Sequence, residues 1–309
     1  MNRARTSALA FDIGGTKLAA GVVDATGRLS ARARVDTPRT TDPEAVFAAL
    51  AGLVDSLGPE AAGATVCGVG CGGPMTAGGE AVSPVHIPIW REFPLRRRLA
   101  EWTGLPTFVD NDAKAVALGE GWVGAAAGES AFVGMVVSTG VGGGIVLDGR
   151  LLDGRAGNAG HIGHVIVEPG GRDCFCGGRG CLEAEASGRA LEAITGRPAA
   201  EAGPEMVRRT GVLVGRAVAS VANLLDLGLA VVAGSVALGF GPPFFAAAQG
   251  EIDALARLDF SRGTRIVPAG LGDAAPLVGA AAVGFRGLSG GDLFTCRPPF
   301  DHLRDTHDA

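Results

Sequence analysis

The chain has 309 residues, about twice the common size of one domain, and 47% hydrophobic against 19% charged residues excludes a disordered polypeptide. Its net charge of −5 excludes the broad basic field of a non-specific nucleic-acid binder, and no apolar run is long enough for a transmembrane helix. Glycine is the outlier: 51 residues without a collagen period predict many tight turns or backbone pressed against a ligand. Met1–Ser7 holds two arginines and no apolar signal core, so a soluble, cytoplasmic protein is expected.

Ala8–Phe11 reads as a strand, Asp12-Ile13-Gly14-Gly15-Thr16-Lys17 as a glycine turn, and Leu18–Val23 as the returning strand. A turn at Asp24–Gly27 leads into an alternating strand through Val35. Pro43–Leu57 carries apolar residues three and four apart, with Pro43 near its start and Gly58 after its end, which predicts a helix. Thr65–Gly70 is a buried-type strand running into Cys71-Gly72-Gly73-Pro74. Phe93–Thr103 reads as a short helix, Pro106–Val109 as a strand ending at Asp110-Asn111-Asp112, and Ala113–Val123 as a helix.

The pattern then restarts. Ala131–Val137 is a strand, Ser138–Gly144 a glycine turn, Ile145–Leu147 a strand, Asp148-Gly149 a hairpin turn and Arg150–Leu152 its return. A glycine- and cysteine-rich stretch runs from Gly154 to Glu183. Helices are expected over Ser187–Thr195, Glu205–Leu225, Pro243–Leu258 and Ala274–Phe285, with strands at Leu229–Ala233 and Arg265–Pro268. Gly287–Ala309 is polar and reads as a loose tail. Strand, glycine turn, strand thus occurs twice, about 125 residues apart, which reads as a duplicated α/β unit with two glycine loops across a cleft.

A loop that cradles phosphate needs inward backbone N–H groups and no side chains in the way. Asp12-x-Gly14-Gly15-Thr16-Lys17 supplies these, with a hydroxyl, a cation and a carboxylate. Beside a polyphosphate that carboxylate would only repel, unless a divalent cation sits between them. Ser138-Thr139-Gly140-Val141-Gly142-Gly143-Gly144 is a second such loop. No Gly-Lys dipeptide occurs, so there is no Walker A loop. Gly68-Val69-Gly70-Cys71-Gly72-Gly73 matches G-x-G-x-x-G in form but runs into Pro74 rather than a helix, and is not a Rossmann fingerprint.

Cys174, Cys176 and Cys181 fall within eight residues, and His164 lies ten before the first. Three thiols and an imidazole complete a tetrahedral zinc shell with no position left for water, so the ion would be structural. The alternative is a disulfide with a spare thiol, against which the missing secretory signal weighs. Cys67, Cys71 and Cys296 read as ordinary small residues. Asp112 follows a strand and opens a helix, where it either lines a ligand crevice or caps the helix. Asn111 can both donate and accept, as sugar hydroxyls require. Glu183 stands two residues past the last ligand cysteine, so the metal would fix its position, and Lys114 reads as a solvated helix residue.

Taken in order, Asp12–Lys17, Asp110-Asn111-Asp112, Ser138–Gly144, Gly163-His164 and Cys-x-Cys-Gly-x-x-Gly-Cys-Leu-Glu (Cys174–Glu183) resemble the ROK family of sugar kinases over about residues 8 to 286. Val232-Ala233-Gly234-Ser235 looks like that family's adenosine loop. The resemblance implies an α/β, two-lobed actin/hexokinase-type fold built from duplicated ribonuclease-H-like units. One lobe would cover 1–113, joined by a C-terminal helix at about 274–290; the other would cover 114–273 and carry the zinc site; 291–309 would be a tail. It further implies ATP, Mg²⁺, structural Zn²⁺ and a hexose, a homo-oligomer (dimer or tetramer), and no nucleic-acid or membrane partner.

By the same resemblance, Asp112 is the general base that takes a proton from the sugar hydroxyl. Gly73, Asn111, Asp112, His161, His164 and Glu183 would meet the sugar, His164 through the ring nitrogen not spent on zinc. Asp12, Gly14, Gly15, Thr16, Lys17, Ser138, Thr139, Gly140, Gly142, Gly234 and Ser235 would hold the nucleotide, and His164, Cys174, Cys176 and Cys181 the zinc. The chain departs from the family at His161, where many members place a sugar-contacting glutamate. It departs again at His86-Ile87-Pro88, where an asparagine is frequent, and at Lys114, where a small polar residue is common. The leading reading is a glucokinase-like enzyme phosphorylating a 6-hydroxyl from ATP, with polyphosphate the other donor. Its alternative, motivated by His161, is a kinase for an N-acetylhexosamine or a cyclitol. A regulator is disfavoured because only eleven residues precede Asp12, and a non-catalytic sugar binder because Asp112 and both loops are present.

Overall fold

The computed structural model describes residues 6–290. The tail from residue 291 and Cys296 lie outside the described residues. The first five strands are β1 (Ser7–Ile13), β2 (Lys17–Asp24), β3 (Leu29–Asp36), β4 (Ala64–Cys71) and β5 (Thr107–Asn111). They form one sheet in the order β3-β2-β1-β4-β5. The central strands β1 and β4 are nearly continuous apolar runs because both of their faces are covered, whereas β3 alternates at the sheet edge. Helices α1 (Pro43–Asp55), α2 (Leu95–Thr103) and α3 (Asp112–Val123) follow β3, β4 and β5. Asp42 caps α1 by accepting the Glu44 amide at 2.9 Å, and Pro43 fills the first turn, where no donor is needed.

The second half repeats this plan. Strands β6 (Phe132–Val137), β7 (Val141–Leu147), β8 (Arg150–Leu151), β9 (Leu229–Ala233) and β10 (Arg265–Pro268) form a sheet in the order β10-β9-β6-β7-β8. In each sheet the first three strands are antiparallel neighbours and the last two join the first in parallel, so the duplicated α/β unit is present in topology as well as in pattern. Helices α4 (Leu182–Ala186), α5 (Gly188–Thr195) and α6 (Pro204–Leu225) precede β9, α7 (Ser235–Phe240) and α8 (Pro242–Leu255) precede β10, and α9 (Ala275–Leu288) ends the unit. The apolar face of α6, from Leu213 to Ala222, packs with Phe244, Ala248 and Ile252 of α8 over the second sheet.

Helices α3 and α9 occupy matching places in the two units and lie against each other between the sheets. Helix α3 touches β6 and β7 as well as β4, and α9 covers β1, β4 and β5. Two expectations need correction. Gly142–Gly144 belong to β7, paired with β6, so the glycine turn ends at Gly140. Helix α9 runs on to Leu288, so Gly287 and Leu288 belong to that helix and not to a tail starting at Gly287. Among the described residues, no helix is long and apolar enough to cross a membrane.

Candidate active site

The carboxyl ends of β1, β4 and β5 lie side by side, with Asp12 opposite Gly70 and Cys71 opposite Asn111 in the ladders. Ligands of α/β sheets bind at that edge. Asn111 is the true cap of α3: its side-chain oxygen accepts the amides of Ala113 (3.0 Å) and Lys114 (3.3 Å). Its acceptor is therefore spent on the helix, and its amide nitrogen faces Gly73. Asp112 is freed from that duty and is held by its own contact, Ala113 N donating to Oδ1 at 2.9 Å.

Burial, followed by repulsion from Asp112, pushes Asp12 from 3.8 up to about 7. Burial also raises Asp112, against the Ala113 amide and the nearby His86 and His161. Two buried carboxyl groups, one raised by the charge of the other, at the mouth of a glycine loop fit a divalent cation, which would relieve both.

The first glycine loop is short and tied down. Gly14 N donates to the Lys17 carbonyl (3.0 Å) and Thr37 Oγ1 to the Gly14 carbonyl (2.7 Å). His86 lies directly on it: a Cβ at Gly15 would come 2.2 Å from the His86 Cβ, so only glycine fits. The second loop, Ser138-Thr139-Gly140, closes by Ser138 N donating to the Gly140 carbonyl (2.9 Å). It is stitched to α5, where Gly188 N donates to the Ser138 carbonyl (2.7 Å), and to α7 through a 2.9 Å hydrogen bond between the Ser138 and Ser235 hydroxyls. The structure thus brings Ser138, Gly234 and Ser235 together. Gly142 instead lies inside β7, where its missing side chain makes room for Ala113 of α3.

Glu183, on α4, accepts the Val141 amide at 2.8 Å, which holds it beside Gly140. His161 and His164 stand 6.1 Å apart with rings 28° from parallel. Burial and His164 lower the basicity of His161, so the ring is neutral at neutral pH.

Two further residues enter the site: His86, noted in the sequence only as a departure from the family, and Arg189, which the sequence did not single out. Arg189, at the start of α5, donates from Nη1 to His86 Nδ1 at 3.4 Å, joining the first unit to the second across the cleft. Burial and Arg189 lower His86, while Glu183 and Asp112 oppose them, so these four groups share one space. The substitution at His86 was visible as a departure; its partner, 103 residues away, carried no local signal.

The metal-type cluster is compact. His164 Nδ1 and the Sγ atoms of Cys174, Cys176 and Cys181 lie within 4.8 Å of one another. Cys176 and Cys181 are 3.7 Å apart, as are Cys174 Sγ and His164 Nδ1. Zn–S bonds of about 2.3 Å and Zn–N bonds of about 2.0 Å give tetrahedral edges near ~3.8 and ~3.6 Å, so the set fits zinc. With Nδ1 turned to the cysteines, Nε2 of His164 is the nitrogen left for the cleft.

Lys114 is not solvated. It is 2% exposed, and its ammonium meets Asp110, Asp153 and the Gly157 carbonyl.

The sequence pattern of the ROK family matches residues 8–285. The chain is 40% identical over 251 residues to an N-acetylmannosamine kinase of Citrobacter koseri, covering 76% of this chain and 85% of that one. The ROK hexokinase of Thermus thermophilus superposes with a TM-score of 0.78 at 35% identity, covering 92% of this chain and 100% of the other. A ROK-family glucokinase of Streptomyces griseus, solved with glucose and AMPPNP, gives 0.77 at 30% identity, covering 91% and 99%.

Proposed function

This chain belongs to the ROK family and is an ATP-dependent sugar kinase, and from that premise we propose that its acceptor is an N-acetylhexosamine, N-acetylmannosamine first, phosphorylated on the 6-hydroxyl. The observation that carries this reading is the 40% identity over 251 residues to an N-acetylmannosamine kinase, against 30% to the ROK glucokinase. It displaces glucose as the leading acceptor.

His161 supports the same choice chemically. A carboxylate at that place would accept from two hydroxyls; a neutral imidazole offers one donor and one acceptor. An acetamido group presents one carbonyl acceptor and one N–H donor, which a neutral imidazole, with one donor and one acceptor, matches better than a singly charged carboxylate that only accepts.

In this reading Asp112 accepts the proton of the 6-hydroxyl as its oxygen attacks the terminal phosphorus of ATP, and ADP departs with the bridging oxygen. The raised basicity of Asp112 suits a base that must take a proton from a weak acid. Backbone N–H groups of Gly15, Thr16, Thr139 and Gly140 cradle the phosphates, those of Gly14 and Ser138 being spent inside their loops, and Gly234 and Ser235 line the nucleoside end. Asn111 donates to a sugar oxygen through its amide nitrogen, and Glu183 and His164 Nε2 orient other polar groups. Mg²⁺, which Asp12 would hold, supplies charge neutralisation for the transferred group when bound. Zinc at His164, Cys174, Cys176 and Cys181 would act only by fixing the chain around His164 and Glu183.

The test is His161→Glu, with initial rates for N-acetylmannosamine and glucose. The ratio of kcat/KM should move toward glucose by about 10–100-fold, the cost of one mispaired buried polar contact. An unchanged ratio would show that His161 does not select the sugar.

A further inference from the structure

A buried lysine is costly unless every donor is used. Lys114 uses all three: its Nζ donates to Asp110 Oδ1 (3.1 Å), Asp153 Oδ1 (3.0 Å) and the Gly157 carbonyl (3.0 Å). Its partners come from different parts of the fold. Asp110 is the last residue but one of β5 in the first sheet, and Asp153 and Gly157 belong to the segment that leaves β8 of the second. Arg286 of α9 closes the ring, reaching Asp153 Oδ2 at 2.7 Å and Asp110 Oδ2 at 3.4 Å. Burial leaves Asp110 above the usual carboxylate range; Asp153, nearer solvent, is held below it by Arg286 and Lys114 in spite of its partial burial.

The segment from 153 to 160 has no helix or strand of its own, and it runs directly into His161 and the single helical turn Ile162–His164. Its one internal backbone tie is Ala159 N donating to the Asp153 carbonyl at 3.0 Å. Lys114 therefore reaches this loop at both ends of its first half, from a helix whose first residue is Asp112. An apolar side chain could pack α3 without any desolvation cost; what it could not do is fix the loop to the helix.

We propose that Lys114 is a positioning residue for the acceptor sugar: with Asp153 it clamps loop 153–160 to α3 and so sets His161 and His164 at a fixed distance from Asp112. The inference rests on the reading above that both histidines face the sugar. Reaction rates fall about 10²-fold when reacting groups are misplaced by about 1 Å, so a slack loop is felt at the acceptor even though Lys114 touches no substrate. The nucleotide loops do not hang on this clamp and should be indifferent to it.

The experiment uses Lys114→Met, Lys114→Arg and Asp153→Ala. The last removes a carboxylate that is 48% exposed and so supplies a second test should Lys114→Met not fold. The wild type is first assayed across acceptors, and the best acceptor is used throughout. Lys114→Met and Asp153→Ala should each lower kcat/KM for the sugar by about 10–100-fold, with the ATP KM within about twofold of wild type and partial recovery in Lys114→Arg. Amide hydrogen exchange over 154–161 should quicken in both, and the double variant should be no worse than the poorer single one. Sugar and ATP KM rising together, or an unchanged kcat/KM for the sugar, would overturn the proposal. If the wild type phosphorylates no sugar, the functional reading fails by itself, and exchange over 154–161 still decides: faster exchange supports the clamp and unchanged exchange refutes it.

Discussion

Asp12 and Asp112 face each other with incompatible demands. A fold selected for stability alone would not bring two carboxyl groups together out of bulk water. The folded protein holds the Asp12 proton up to about 7, whereas an unfolded chain releases it at 3.8. Between those values the folded state binds more protons, so raising the pH through that window costs stability. Asp12→Asn should therefore raise the Tm of the ligand-free protein at pH 8 and do little near pH 4, while abolishing turnover. An equal gain at both pH values would remove the proton linkage. Asp112→Asn is expected to lower kcat by about 10²–10⁴-fold while sugar binding, read by calorimetry, falls far less. Near-normal kcat in that variant would leave Asp112 as a mere helix-start residue.

Among the elements, α3 and α9 set the relation between the two sheets. They meet backbone to backbone at two glycines: a Cβ on Gly279 would lie 2.3 Å from the Ala115 carbonyl oxygen, and one on Gly119 would lie 2.9 Å from Gly279 N. Gly279→Ala gains up to ~1 kcal/mol of helix propensity but must push two buried helices apart, an overpacking cost of about 1–3 kcal/mol or more. Backbone atoms cannot rotate away as a side chain can, so the clash should win and the urea midpoint should fall. A midpoint at or above wild type would mean that the helices separate easily.

Most elements could be read from the chain because their signals are local. Strand Leu229–Ala233 is wholly apolar, and α1 carries its cap and Pro43 beside it. The stretch Ser138–Gly144 misled because three consecutive glycines suggest a turn, yet β7 needs them where α3 and neighbouring backbone press on the strand. Helix α7 was missed because it is six residues long and glycine-flanked. Lys114 was misread for a different reason. A lysine on a helix is solvated unless anions meet it, and Asp153 lies 39 residues away in sequence.

For the molecule as a whole, one topology used twice places two glycine loops at corresponding sheet edges, with α3 and α9 between the sheets. The two units contribute different groups: Asp12, His86 and Asp112 come from the first, and His161, His164, Glu183 and the cysteine cluster from the second. In the proposed reading, a sugar between the units meets a base from one and selective side chains from the other. The clamp through Lys114 and the contact between His86 and Arg189 are two of the polar ties that cross between the units. The central claim is that the cleft phosphorylates an acetamido sugar. The most direct test is ADP release with ATP and Mg²⁺ across a panel of glucose, mannose, N-acetylglucosamine, N-acetylmannosamine and a cyclitol. The highest kcat/KM is expected with N-acetylmannosamine, at least about tenfold above glucose, the worth of one well-made polar contact. Efficient turnover of glucose with no measurable turnover of either acetamido sugar would contradict it.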